Sequence, residues 1–173
     1  MLIGGVAVIA RGVARVTTDV DATVRAEGLA LDELSRILAR HQIVGRIPDL
    51  LEFAHAHQVL LLRHEPTRTP IEVSLAWLPF EEEALARAEP LDLGAGPVPV
   101  AVAEDLIVYK AVAWRDRDRT DVERLLVQHG DEIDLARVRR IVRDFADALG
   151  APERVGELEA VIRRARPPTG GVP

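Results

Sequence analysis

The stretch Arg15-Val16-Thr17-Thr18-Asp19-Val20-Asp21, which follows the pair Gly4-Gly5, decides the fold that we predict for this chain. We expect a strand over residues 18–24, and because side chains two apart on a strand share a face, Asp19 and Asp21 should point the same way. Two adjacent carboxylates repel each other unless a cation or a proton lies between them. A hard cation such as magnesium relieves that repulsion, so the pattern indicates metal-dependent phosphoryl or nucleotidyl transfer.

A third acidic residue, Glu72, lies in the otherwise largely apolar run Ile71-Glu72-Val73-Ser74-Leu75. If this run forms a strand beside the first one, Glu72 completes a three-carboxylate cluster that can hold two ions. The alternatives are an ordinary exposed glutamate and, for Asp19 and Asp21, the polar side of an edge strand. We favour the functional interpretation of the aspartates because aspartate is disfavoured in strands. Without that pair, the exposed-glutamate interpretation of Glu72 would be preferred.

The glycine pair and the single lysine of the chain are further candidates. Gly4-Gly5 precedes a short predicted helix, where the backbone N–H groups of a glycine turn can approach a phosphate. Lys110 falls near one face of a predicted helical stretch with Trp114, Arg117 and Asp121. These residues suit either a cationic set that reaches a triphosphate or a solvated helix junction with local salt bridges. The sequence leaves both interpretations open.

Composition limits the class of protein. The chain has 173 residues, of which 48% are hydrophobic, enough for one domain with a sizeable core or a domain with a helical appendage. The absence of cysteine excludes disulfides, thiolate metal sites and a thiol nucleophile. The formal net charge of −6 argues against non-specific wrapping of nucleic acid by the whole surface. No apolar run has membrane-spanning length and no signal peptide is evident, so we expect no membrane association and a cytoplasmic location.

The periodicity of apolar residues predicts an α+β fold, with a small mixed β-sheet flanked by helices and a helical C-terminal half. We expect an α/β core over residues 1–102, a helical region packed on that core over residues 103–166, and a disordered tail over residues 167–173. Strands are predicted over residues 1–3, 18–24, 59–62, 71–75 and 98–102, the third and fourth as a hairpin and the proline-interrupted last one at a sheet edge. Helices are predicted over residues 6–10, 31–41, 48–57, 80–87, 103–114, 120–129, 135–149 and 152–165. The predicted helix boundaries include the N-caps Asp118 and Asp134 and the stops Gly130 and Gly150.

Five segments of the chain together resemble a known family. They are Gly4-Gly5, Arg15-x-Thr17-Thr18-Asp19-x-Asp21, Glu72, Glu104-Asp105-Leu106-Ile107-x-x-Lys110 and Arg117-Asp118-Arg119-Thr120-Asp121-Val122. In this order they resemble the nucleotidyltransferase superfamily, specifically its AbiEii/AbiGii toxin-like branch, over residues 1–126. The resemblance implies a nucleotidyltransferase-like fold that uses magnesium and a nucleoside triphosphate.

The resemblance also implies roles for particular residues. Asp19, Asp21 and Glu72 match the metal-binding acids, with glutamate at a position where aspartate is common in the family. Lys110 matches a helical lysine that faces the nucleotide, and it joins the three acids in the implied catalytic set. The implied nucleotide-binding set, with the glycines as the phosphate turn, is Gly4, Gly5, Arg15, Thr18, Lys110 and Arg117.

These implications give one leading hypothesis and two rivals. The leading hypothesis is a magnesium-dependent nucleotidyltransferase that moves a nucleoside monophosphate from a nucleoside triphosphate to an acceptor hydroxyl. Because characterised relatives act as toxins beside an antitoxin, and some modify transfer RNA ends, the implied partners are tRNA or another acceptor and a cognate antitoxin protein. The first rival is a non-catalytic member of the same fold that binds a nucleotide or a partner. The second is a structural interaction domain that uses the C-terminal helices.

Overall fold

The computed structural model describes residues 1–28 and 30–166, so the predicted tail over residues 167–173 lies outside the described residues. In the described part, seven strands form one mixed sheet and eight segments are α-helical, which confirms the predicted α+β class. None of the helices in these two ranges combines the length and the apolar character that a membrane span requires.

The chain divides into two compact units. The first, here called the sheet unit, comprises Met1–Ala7 and Arg15–Ala101 and contains the seven strands. The second, here called the helical unit, comprises Val8–Ala14 and, within the described residues, the chain from Val102 to Arg166. The first helix of the chain therefore begins in one unit and ends in the other.

The strands, in chain order, are β1 (Leu2–Ile3), β2 (Val20–Arg25), β3 (Ile43–Gly45), β4 (Val59–His64), β5 (Thr69–Ala76), β6 (Glu89–Asp92) and β7 (Pro97–Val100). The α-helices are α1 (Gly4–Ala10), α2 (Leu31–Arg40), α3 (Leu50–His57), α4 (Pro79–Arg87), α5 (Ala103–Ala113), α6 (Asp116–His129), α7 (Leu135–Leu149) and α8 (Glu153–Ala165). A single 3-10 turn over Gly130–Glu132 follows α6. The sheet order is β3-β4-β5-β2-β1-β7-β6, so the strands that carry Asp21 and Glu72 are interior neighbours.

The buried core of the sheet unit lies on one face of the sheet. Its members come from β4, β5 and the helices α2 and α3, and they are Leu31, Ala54, Leu60, Leu62, Val73 and Leu75. Each buried leucine contributes about 2 kcal/mol of hydrophobic stabilisation, and a shift of one residue would turn every strand side chain to the opposite face. Because Val73 faces this core, its neighbour Glu72 and the register partner Asp21 lie on the other face.

The predicted hairpin over residues 59–62 and 71–75 is confirmed. Strands β4 and β5 pair antiparallel, with Leu61 opposite Glu72, and both extend beyond the predicted ends to His64 and Ala76. The short strands β3 and β6 were not predicted, because three or four residues are too few to show a period.

Strand β7 shows that the predicted edge position of residues 98–102 was wrong. It lies between β1 and β6, and β6 forms the edge of the described sheet. The prolines of β7 are tolerated because β1 pairs with it only at Val100, so the rest of its length pairs with β6 alone in the described sheet. Prolines therefore indicate that part of a strand lacks a hydrogen-bonded neighbour on one side. They do not show that the strand lies at the edge of the sheet.

The junction of α5 and α6 also departs from the prediction. Helix α5 ends at Ala113, where the next residue, Trp114, adopts a left-handed conformation with φ of 51°. Helix α6 begins at Asp116, four residues earlier than expected. Lys110 and Asp121 therefore lie on two different helices, and the prediction that they share one helical face was wrong.

Of the four predicted helix caps and stops, one was wrong and three are confirmed. Asp118 is not the N-cap of α6 but its third residue, and its carboxylate accepts a hydrogen bond from the backbone N–H of Arg115. Asp134 caps α7 as predicted, since its side chain accepts a hydrogen bond from a backbone N–H of the first turn. Gly130 and Gly150 end α6 and α7, both with positive φ.

Candidate functional site

Asp21 and Glu72 lie side by side in the sheet unit. Strands β2 and β5 run parallel, and their register places Asp21 directly opposite Glu72. Neighbouring strands are about 4.8 Å apart, so these two side chains leave the same sheet face next to each other. Both residues are partly accessible to solvent. The adjacency of the two strands, on which a role for Glu72 depended, is confirmed.

The turn at Gly4 packs against the carboxylate of Asp21. Strand β1 pairs antiparallel with β2 and places Ile3 opposite Asp21, so the next residue, Gly4, passes close to that side chain. A Cβ atom at Gly4 would lie 1.9 Å from Oδ2 of Asp21, and the φ angle of Gly4 is +63°. Both the available space and the left-handed backbone therefore require glycine here.

Thr17 connects the second glycine to Asp19. A Cβ atom at Gly5 would lie 2.3 Å from Oγ1 of Thr17. The same hydroxyl donates a hydrogen bond to Oδ1 of Asp19 at 2.6 Å. Asp19 lies one residue before β2 and is half-buried. The glycine pair and both aspartates are thus brought together by direct packing within the sheet unit.

Two residues of the implied nucleotide-binding set flank this turn. Arg15 is half-buried, its Nε donates a hydrogen bond to the carbonyl of Val16 at 3.2 Å, and its Cζ would lie 3.1 Å from a Cβ atom at Gly5. Thr18 is exposed to solvent. Contact of Arg15 or Thr18 with a nucleotide stays a prediction.

Glu72 is engaged by an arginine that the sequence did not single out. Arg46, the residue directly after β3, forms an ion pair and a hydrogen bond with Glu72 through one guanidinium nitrogen. The side chains are 29% exposed for Arg46 and 46% exposed for Glu72. Across residues 1–28 and 30–166, no three His, Cys, Asp or Glu side chains converge so that they could hold a metal ion. Asp21 and Glu72 are neighbours on the sheet, and together with Asp19 they do not form a closed ligand set.

Lys110 belongs to the helical unit and is buried among opposite charges. Its Nζ lies 3.0 Å from Oδ1 of Asp118 and 3.2 Å from Oδ2 of Asp121. All three side chains are less than a tenth exposed. Burial of Asp118 opposes its ionisation, but the hydrogen bond and the charge of Lys110, together with hydrogen bonds from Arg115, outweigh burial and lower the pKa of Asp118 below its ordinary value. These contacts give Lys110 a structural task, the neutralisation of two buried carboxylates.

The arginines near this junction also make structural contacts. Trp114 is buried, and the guanidinium carbons of Arg119 and Arg154 lie 5.8 and 5.3 Å from its ring centroid. Arg154 also donates hydrogen bonds to two carbonyl groups in the last turn of α5. Arg117, the arginine that the resemblance assigned to the nucleotide, is exposed to solvent. Basic side chains thus stabilise the junction between α5 and α6.

Two residues near the acids, Arg46 and Thr17, were absent from the predicted site. The sequence offered a signal for Thr17, because it lies two residues before Asp19 and four before Asp21, and side chains at that spacing share a face in an extended chain. Thr18 would lie on the opposite face. The sequence held no comparable signal for Arg46, since it follows a strand of three residues.

Comparisons with known proteins do not assign a family to this chain. No protein-family model matches it, and no curated protein sequence matches it. A function must therefore be argued from the residues of the site.

Proposed function

We propose that this chain is a magnesium-dependent nucleotidyltransferase with a nucleotidyltransferase-like fold. The observation that carries the proposal is the position of Asp21 beside Glu72 on parallel strands, with Gly4 packed against the carboxylate of Asp21. Two carboxylates side by side on an accessible sheet face destabilise each other unless a cation accompanies them. Their placement beside a turn that only glycine can form supports a binding site rather than a packing arrangement.

The donor set fits magnesium. Mg²⁺ prefers oxygen ligands and is usually held by one or two carboxylates together with substrate phosphates. Asp19, Asp21 and Glu72 are the residues that would hold the ion here. When bound, the ion supplies positive charge that stabilises the triphosphate and the departing pyrophosphate.

The proposed reaction is a displacement at phosphorus. The oxygen of an acceptor hydroxyl forms a bond to the α-phosphorus of a nucleoside triphosphate, and the bond from that phosphorus to the bridging oxygen breaks. Pyrophosphate leaves with the bonding electrons, and the hydroxyl proton passes to solvent. The contribution of the chain is to position the reactants beside Asp21, whose carboxylate packs closely against the backbone of Gly4.

The contacts of Lys110 favour a different role from the one implied by the resemblance. A lysine whose charge is balanced by two buried carboxylates has little free charge to offer a triphosphate. We therefore assign the chemistry to the acids and give Lys110 the task of joining α5 to α6. Its contact with a nucleotide stays a prediction.

The resemblance extends the proposal to the acceptor and the partner. An RNA hydroxyl, such as that of a transfer RNA end, is the proposed acceptor. The proposed biological setting is a toxin-like component of a toxin–antitoxin or abortive-infection system, with an antitoxin protein as its partner.

A non-catalytic role in nucleotide or partner binding is the second candidate. The observation that favours it is the ion pair between Arg46 and Glu72, which occupies the third acid. Magnesium-dependent triphosphate binding without turnover on any acceptor would identify this role.

The experiment that tests catalysis is the incorporation of each α-labelled nucleoside triphosphate into total cellular RNA and into protein, with Mg²⁺. We expect label on RNA, reduced by about a hundredfold or more in Asp21→Asn, the usual scale for removing one electrostatic element of an active site. Asp32→Asn makes the same chemical change at an exposed residue of α2 that pairs with Arg36, and it should leave incorporation unchanged. Equal incorporation by Asp21→Asn and wild type would contradict the proposal, and label on protein would redirect the acceptor.

A further inference from the structure

We infer that Arg46 is a built-in counter-cation of the carboxylate pair: it neutralises Glu72 in the metal-free protein and is displaced when a divalent cation binds. The inference rests on the proposed function, because it concerns the same acids. It makes Arg46 a residue that sets the affinity for the ion, not one that touches the reacting atoms.

The need for a counter-cation follows from the strand register. Asp21 and Glu72 are opposite each other on parallel strands, and neighbouring carboxylates repel each other when both carry their charges. The guanidinium of Arg46 contacts Glu72 directly and cancels one of those charges. The carboxylate pair is therefore supported without a metal ion.

The position of Arg46 is fixed by the backbone rather than by chance contact of long side chains. Its N–H donates a hydrogen bond to the carbonyl of Leu61 at 3.0 Å. Leu61 is in turn the register partner of Glu72 across β4 and β5. Strand β4 thus lies between Arg46 and Glu72, and the side chain of Arg46 reaches across β4 to the acid.

The ion pair has the properties of an exchangeable contact. Only one guanidinium nitrogen of Arg46 donates a hydrogen bond to Glu72. By contrast, Arg139 in the helical unit donates hydrogen bonds to Glu159 from two nitrogens. Partly exposed pairs with a single contact are weak, and solvent reaches both partners. A divalent cation that binds Glu72 replaces the weak contact with Arg46 by a stronger one between carboxylate and ion. Release of Arg46 then frees the third acid to complete a ligand set that is open in this structure.

The test is the affinity of the full chain for Mn²⁺ alone, measured by electron paramagnetic resonance at constant ionic strength without nucleotide. Because the pair must break before the ion engages Glu72, Arg46→Gln should bind Mn²⁺ about fivefold more tightly than wild type, the scale of a partly exposed ion pair. Arg46→Lys keeps the charge and should lie between the two.

Arg63→Gln is the matched control. The side chain of Arg63 is 30% exposed and it pairs with a carboxylate, but that carboxylate is Glu65, outside the β2–β5 pair. Removing its charge tests the general electrostatic effect of losing one arginine from β4, and the affinity for Mn²⁺ should change by less than half as much as in Arg46→Gln.

The outcomes separate the inference from the function on which it rests. If wild type binds Mn²⁺ and Asp21→Asn does not, the ion site stands. Unchanged or weaker binding by Arg46→Gln would then overturn the role of Arg46 alone. If wild type binds no more Mn²⁺ than Asp21→Asn, the ion site itself fails, and this inference fails with it. A second readout is thermal unfolding, in which Mn²⁺ should raise the midpoint of Arg46→Gln more than that of wild type.

Discussion

Two clusters in this molecule contain the same groups in opposite settings. In the helical unit, Asp118 and Asp121 share the ammonium group of Lys110, and both carboxylates are almost completely buried. In the sheet unit, Asp21 stands beside Glu72, whose cation is the partly exposed Arg46. In each cluster a basic side chain pairs with a member of a carboxylate pair. Of these two ion pairs, only the one in the sheet unit is partly exposed to solvent.

On the proposed function, burial rather than charge composition separates the structural cluster from the binding cluster. A buried carboxylate without its partner is very unfavourable, so the lysine network holds α5 and α6 in one arrangement. An exposed carboxylate retains water and can accept another cation at small cost. The following changes should therefore affect stability in the first cluster and ion binding in the second.

Lys110→Met should have the largest effect on stability. It removes the ammonium group that the buried carboxylates of Asp118 and Asp121 share, so the free energy of unfolding should fall by about 3–5 kcal/mol, measured by urea denaturation. The matched control is Arg115→Ala, which removes another partner of Asp118 whose side chain is 62% exposed, and it should cost about 1 kcal/mol or less. A stable Lys110→Met protein that has lost only nucleotide binding would break the comparison and restore the role implied by the family.

Gly4→Ala should abolish ion binding at the open cluster. The new Cβ atom would overlap Oδ2 of Asp21, and the φ of +63° adds backbone strain of about 1 kcal/mol. Gly150→Ala is matched in strain, with φ of +64°, but its Cβ atom would meet nothing within 4 Å. Mn²⁺ titration should show binding lost in the first variant and kept in the second. Retention in both would show that Gly4 does not position Asp21.

Acid should weaken the buried cluster less than Lys110→Met does, because the ammonium group of Lys110 stays in place. The pKa of Asp118 is lowered in the folded protein from its ordinary value of 3.8, so its contribution to stability is complete above that value. The contribution is lost as pH falls through the lower folded value. The unfolding midpoint of wild type should thus fall more steeply below about pH 4 than that of Asp118→Asn. Parallel curves would show that the Lys110 contact does not favour the ionised form of Asp118.

The sequence was sufficient for the parts of the fold with a repeating signal. The alternation around Asp21 and Glu72 predicted two strands on which one face is polar, and β2 and β5 have that arrangement. Capping chemistry likewise predicted the start of α7 at Asp134. These features depend on local spacing, which a single chain displays directly.

What the sequence did not predict depends on contacts between distant segments. The break at Trp114 has no local marker, since tryptophan rarely adopts a positive φ, and it moved Lys110 and Asp121 to different helices. The partner of Glu72 was equally hidden, because Arg46 lies 26 residues away along the chain. A charge motif thus indicates which charged groups are present, whereas tertiary packing decides which of them remain accessible to a ligand.

The most direct measurement of the central claim is a calorimetric titration of the protein with a non-hydrolysable nucleoside triphosphate, with and without Mg²⁺. The account predicts binding that requires Mg²⁺, is lost in Asp21→Asn and is kept in Asp32→Asn, whose carboxylate pairs with Arg36 on an exposed turn of α2. Binding that is equal in Asp21→Asn and wild type, or that does not respond to Mg²⁺, would contradict it.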